Sequence, residues 1–178
     1  MNRILAFDPS LTCTGWAVLE DDKTTHGRYI LSGYITTTAK GELCERLMDL
    51  AHSIGERARL MTPDTIIIET PASTGRAPRG QSFRGTAMTS PIYGAAVGAC
   101  IVACGGRGFK ISGVPSDEWT RARIPSSRGD CYKGARVKYA AECWGLDPDS
   151  MGPKTIAGNI ADALLIARWR LWRERAVV

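Results

Sequence analysis

The order of segments along this chain predicts an α/β domain built on a mixed five-stranded sheet with helices on both faces. Two observations carry that expectation. Three strand-like runs near the start read as an antiparallel meander, and helical and strand-like segments alternate after them. A length of 178 residues then suits one hydrophobic core and is short for two, so residues 1–178 are expected to form a single domain.

Residues 4–7 and 16–20 are apolar runs joined by a Pro-Ser turn, and residues 28–37 supply the third strand. Between 42 and 60, Leu43, Leu47, Leu50, Ala51, Ile54 and Ala58 recur at helical spacing, which predicts an amphipathic helix. Residues 65–68 are a β-branched run that ends at Glu69. From 70 to 90 the composition changes to glycine, proline and arginine with no acid, which predicts a mobile basic loop. Residues 91–104 are small and apolar and read as a buried helix, and 109–114 as a fifth strand. A short helix or turn follows at 117–123, capped by Ser116, then a second basic loop at 124–130 and a helix at 131–144. A polar linker, 145–158, leads to a last helix at 159–175.

No stretch approaches the roughly 18 consecutive apolar residues of a membrane span, and no secretory signal opens the chain, so a cytoplasmic setting without membrane association is expected. Six cysteines at 13, 44, 100, 104, 131 and 143 lie mostly in apolar segments and form no CxxC pair. They read as free buried thiols and not as disulfides or zinc ligands. The net charge of +5 permits nucleic-acid binding. Its distribution says more: residues 119–138 hold six basic side chains against the single acid Asp130.

Three acids are set in apolar surroundings. Asp8 ends the first strand, Glu69 ends the fourth, and Asp162 lies within "NIADALLIA". Burying an ionised carboxylate costs several kcal/mol, about that much per ion, unless it is paired or coordinates a cation. Each acid taken alone could pair with an arginine or shape a turn. Together, two strand ends and one helix face could gather them around divalent metal, and two ions roughly 4 Å apart can activate water and stabilise a leaving oxygen in phosphodiester hydrolysis. Oxygen ligands select Mg²⁺, with Mn²⁺ able to substitute.

"ILAFDPSLTCTGWAVLE" (4–20) resembles the opening of RuvC-type Holliday-junction resolvases, where an apolar strand ends in Asp-Pro-Gly/Ser and Thr-Gly-Trp/Tyr begins the next. "TIIIETP" (65–71) is similar to that family's strand ending in a catalytic glutamate, and "NIADALLIA" (159–167) to its C-terminal Asp/His-x-x-Asp-Ala-Leu helix. "VPSDEWTRAR" (114–123) resembles its segment between the last strand and the DNA-binding helix. The resemblance covers nearly the whole chain in order. It implies an RNase H-like fold, a homodimer with two active sites on a four-way DNA junction, and symmetric nicking that depends on two metal ions per site. Asp8, Glu69 and Asp162 would then be catalytic metal ligands, and Asn159 stands where the family has Asp or His. An amide oxygen can still ligate a cation, but it brings no charge and cannot act as a base near neutral pH.

Arg76, Arg79 and Arg84 are expected to contact phosphate, with Phe83 as a base-stacking wedge or a loop anchor. Lys133 stands near the place of a functional lysine in the family, and Arg128 and Arg136 compete with it to neutralise a phosphate. Neighbouring readings keep the fold and change the substrate to other branched DNA or structured precursor RNA. Sugar-kinase and actin-like ATPases share an acidic first hairpin but need two such domains, so no nucleotide cofactor is expected. A non-catalytic binding protein would gain nothing from three acids facing phosphate.

Overall fold

The computed structural model describes residues 2–71, 91–120 and 132–176, leaving the side chains of Tyr132 and Lys133 aside. Strands β1 (Arg3–Asp8), β2 (Cys13–Glu20) and β3 (Arg28–Thr36) form the antiparallel meander. Helix α1 (Leu43–Met61) crosses to β4 (Thr65–Thr70), which lies parallel to β1. Helix α2 (Pro91–Gly105) precedes β5 (Ile111–Pro115), parallel to β4, and the sheet order is β3-β2-β1-β4-β5. A short α3 (Ser116–Thr120), α4 (Tyr132–Trp144), a 3₁₀ turn (Pro148–Met151) and α5 (Lys154–Arg175) complete the described chain.

The expected mixed five-stranded sheet is present, and its alternation divides the core in two. Ile4, Ala6, Ala17, Leu19 and Ile67 pack beneath α5, together with Ala140 of α4. On the other face, Leu5, Phe7, Trp16, Val18, Ile66 and Ile68 pack against α1 and α2. Ile66, Ile67 and Ile68 are fully buried because β4 is covered on both sides. Each contributes about 1.5–3 kcal/mol, which helps to offset the cost of ending the same strand in a buried carboxylate.

Two boundaries differ from the sequence reading in ways that matter for function. Strand β2 begins at Cys13, three residues before the expected start, because Cys13, Thr14 and Gly15 pair with Thr36, Ile35 and Tyr34. The last helix begins at Lys154, within the expected polar linker, after Pro153 with its extended ψ of 151°. Asp162 therefore lies two turns inside α5, amid a run in which residues 157–167 are all buried. Near the end of α5, Trp169 packs against the core while Trp172 is 53% exposed, so the two tryptophans do not share one buried face.

Cys13, Cys100 and Cys104 are free and buried, in line with thiols serving as core, whereas Cys44 is exposed. Burial pushes the Cys104 thiol up to about 11. Among the described residues, no helix is long and apolar enough to cross a membrane.

Candidate active site

The turn from β1 to β2 is fixed before any ligand is considered. The Thr14 hydroxyl, fully buried, donates to the Ser10 carbonyl at 2.7 Å and accepts from the Ser10 N–H at 3.0 Å. Thr37 donates to the Leu11 carbonyl from the far end of β3, and Arg46 of α1 reaches both Thr37 and that carbonyl. The motif read as a Pro-Ser turn is thus a braced loop that holds the end of β1 still.

Asp8 and Glu69 stand at the carboxyl ends of parallel neighbours. The register pairs Phe7 with Ile68, so the next residues, Asp8 and Glu69, lie side by side. Side-chain alternation, with Ala6 and Ile67 under α5, carries both acids to the α5 side. Crevices outside the carboxyl ends of parallel strands are where α/β sheets bind ligands.

Helix α5 comes unusually close to the sheet here, and one residue permits it. Gly15 pairs with Asp8 across β1 and β2. A Cβ at Gly15 would stand 2.1 Å from the Asn159 carbonyl oxygen and 2.9 Å from the Ile160 nitrogen. Without a side chain at this point, the α5 backbone rests on the strand beside Asp8. Asn159 secures the contact: its Nδ2–H donates to the Cys13 carbonyl at 2.7 Å. Asp162 follows three residues later on the same helix face.

The two buried acids of this corner each face a side chain. Glu69, Asn159 and Asp162 are 8%, 7% and 5% exposed. The Trp119 indole N–H donates to Glu69 Oε1 at 3.0 Å. Asp162 Oδ1 faces Arg136 Nη1 at 2.8 Å, and the Arg136 guanidinium lies over the Trp119 ring at 5.4 Å. Glu69, Trp119, Arg136 and Asp162 therefore form one chain of contacts. On the other side of the sheet, burial pushes the Tyr93 phenol well above its ordinary range, and the charges of Glu69 and then Asp8 add to the effect.

The donors are oxygens of three carboxylates and one amide, a set that suits a hard divalent cation. Asp162 already faces a positive charge in the form of Arg136. As the side chains stand, with Asp162 turned to Arg136 and Glu69 to Trp119, no three acidic, histidine or cysteine groups among the described residues enclose an ion. The chemistry of the donors fits metal.

The structure thus gathers Asp8, Glu69, Asp162 and Asn159 at one corner. Arg136 departs from the sequence reading: it is 6% exposed and paired with Asp162, so it occupies the wall of the site and not an exposed phosphate-facing surface. Arg76, Arg79, Phe83, Arg84 and Arg128 lie outside the described residues, as does the Lys133 side chain. Sequence reasoning missed Trp119, Gly15 and Tyr93. Trp119 carried one usable signal, a large aromatic placed directly after β5, the strand beside Glu69.

Comparisons with known proteins point the same way. The family model described as crossover junction endodeoxyribonuclease RuvC matches residues 4–77. A protein of that name from Corynebacterium glutamicum is 28% identical over 171 residues, covering 96% of this chain and 70% of the relative. Another from Cupriavidus pinatubonensis is 44% identical over 70 residues, 38% of this chain and 36% of the relative. Among solved structures, Thermus thermophilus RuvC in complex with a Holliday junction substrate superposes with a TM-score of 0.74 at 18% identity, covering 100% of this chain and 98% of that one. The Thermus thermophilus RuvC structure superposes at 0.72 with 19% identity.

Proposed function

We propose that this chain, which belongs to the RuvC family and has its RNase H-like fold, is a structure-selective endonuclease that resolves four-way DNA junctions by metal-dependent phosphodiester hydrolysis. The observation that carries the proposal is the corner itself: Asp8 and Glu69 side by side at two parallel strand ends, with Asp162 presented by a helix that only Gly15 allows so close.

Asp8, Glu69 and Asp162 are the metal ligands in this reading, with the Asn159 amide oxygen as a neutral fourth donor. The metal is Mg²⁺, replaceable by Mn²⁺, with two ions per site. Bound there, it supplies Lewis-acid polarisation of the phosphate and a lowered pKa for the attacking water. The protein's own contribution is placement. The braced turn fixes Asp8, Trp119 orients Glu69, and the hydrogen bond to Cys13 holds Asn159 and the first half of α5 against the sheet. Such support keeps ligands within the tolerance that catalysis demands.

The basic side chains at 76, 79, 84, 128 and 133 hold the phosphate backbone of the branch, and Phe83 stacks on a base at its centre. Resolving a two-fold symmetric junction takes paired cuts, so two copies act together. Helix α2 supports that reading, since it carries no charge yet exposes Ile92, Ile101 and Val102. Acting on DNA places the protein inside the cell.

A gel assay with a labelled four-way junction, a matched linear duplex and a structured RNA, each with Mg²⁺, Mn²⁺ or EDTA, tests the proposal. Paired symmetric nicks on the junction alone, lost in EDTA, are expected. Cleavage of the RNA instead would move the chain to precursor-RNA processing, and tight junction binding with no cut under either metal would refute nuclease activity.

A further inference from the structure

We infer that Arg136 is the internal counter-cation of Asp162: it holds the metal-free corner together and competes with an entering divalent cation for the same carboxylate. This inference rests on the reading of Asp162 as a metal ligand. It adds a residue whose task is to regulate loading, not to contact a phosphate.

The geometry is specific. The Arg136 and Asp162 side chains are each 8% exposed and meet at 2.8 Å. Neither can be left alone there, because an unpaired buried charge is strongly destabilising. Arg136 is also held from a second direction, with its guanidinium over the Trp119 ring at 5.4 Å. Trp119 in turn donates to Glu69 at 3.0 Å. One cationic side chain thus bridges the helix-borne acid to the residue that orients the strand-borne acid. In the absence of metal, this arrangement keeps two acids from two separate elements, β4 and α5, in place.

The same contact opposes loading. An opposite charge at this range changes a carboxylate's affinity for a proton by about one to three decades. A divalent cation approaching the same oxygens is opposed by that field in the same sense as the proton, since both bring positive charge. Asp162 cannot serve guanidinium and metal fully at once, so occupancy by one is paid for in occupancy by the other. A lysine-like point charge would be easier to displace than the planar fork of arginine, which is preorganised for a carboxylate. A merely structural ion pair predicts something different. It predicts that removing Arg136 loosens the site and weakens metal binding.

The test is Mn²⁺ binding to the full chain without DNA, read from the free-ion EPR signal, for wild type and Arg136→Met. The competition predicts that Arg136→Met binds Mn²⁺ about tenfold or more tighter. It also predicts that the variant's Tm falls in EDTA and recovers with Mn²⁺ by more than wild type gains. Unchanged or weaker Mn²⁺ binding in a folded Arg136→Met protein overturns the competition while leaving the metal site intact. No Mn²⁺ binding by either protein overturns both the competition and the metal reading.

Should Arg136→Met fail to fold, the wild type answers directly. The Arg136 Nη1–H resonance, assigned by its loss in Arg136→Lys, is followed as Mg²⁺ is added. It should shift saturably and lose protection from hydrogen exchange as Asp162 changes partner. A resonance that stays fixed and protected while Mg²⁺ saturates the protein overturns the proposal.

Discussion

Two ends of one sheet each bury a carboxylate, and they treat it differently. At the Glu20 end, two arginines address one acid: Arg3 at 2.6 Å and Arg28 from β3, the strands on either side of β2. Arg28 and then Arg3 hold the Glu20 carboxyl below its ordinary value of 4.5. At the other end, the partners are of another kind. Glu69 takes a neutral indole N–H, Asn159 gives its amide to a backbone carbonyl, and Asp162 faces the guanidinium of Arg136. Similar acids on similar strands thus make a structural clamp at one end and a place for further positive charge at the other. Location decides the difference: only the second end lies where β1 and β4 finish in parallel and α5 crosses them.

That contrast can be broken at either end. The largest effect is expected for Asp8→Asn, which removes a proposed metal ligand but no phosphate contact. Junction cleavage should fall by about a thousandfold or more, in line with the several kcal/mol that a metal supplies. Junction affinity in a gel-shift assay should hold or rise, and retained nicking under Mg²⁺ would falsify the ligand assignment.

Gly15→Ala comes next. Its Cβ collides with the Asn159 backbone, so α5 must lift from the sheet. Overpacking of this kind costs about 1–3 kcal/mol, measurable as a lower urea midpoint, and cleavage should fall more than stability does because Asp162 moves with the helix. Trp119→Phe keeps the ring and removes the donor to Glu69. Loss of such an orienting partner should cost about 10- to 100-fold in activity or metal affinity, read as kcat at varied Mg²⁺.

The smallest effect belongs to the clamp. Glu20→Gln should leave cleavage unchanged and cost about 1 kcal/mol at neutral pH, since Arg28 and Arg3 are partly exposed and screened. The sign of its pH dependence follows from the lowered folded value. Glu20 contributes fully above about pH 4.5 and loses that contribution as pH falls through its folded value. Urea midpoints of wild type and variant should therefore converge as the pH is lowered beyond 4.5.

Much of the candidate site was legible in the sequence because burial cost is local: Asp8, Glu69 and Asp162 each stand at or in an apolar run, and the structure buries Glu69 and Asp162. The alternation of strand and helix gave the sheet for a similar reason. The supporting residues were not legible, since their contacts span the chain. Trp119 and Glu69 are 50 residues apart, and Asn159 and Cys13 are 146 apart. Arg136 looked like one more member of a basic segment because charge counting cannot tell a solvated arginine from one turned inward onto an acid. The start of α5 was missed because Pro153 and Gly158 read as linker, although tertiary packing buries the helix from Ala157 onward.

The most direct test of the contrast is Mn²⁺ binding by wild type, Asp8→Asn and Glu20→Gln, measured side by side without DNA. The carboxyl-end site predicts binding weakened at least about tenfold by Asp8→Asn and untouched by Glu20→Gln. Equal Mn²⁺ affinity in wild type and Asp8→Asn would contradict it.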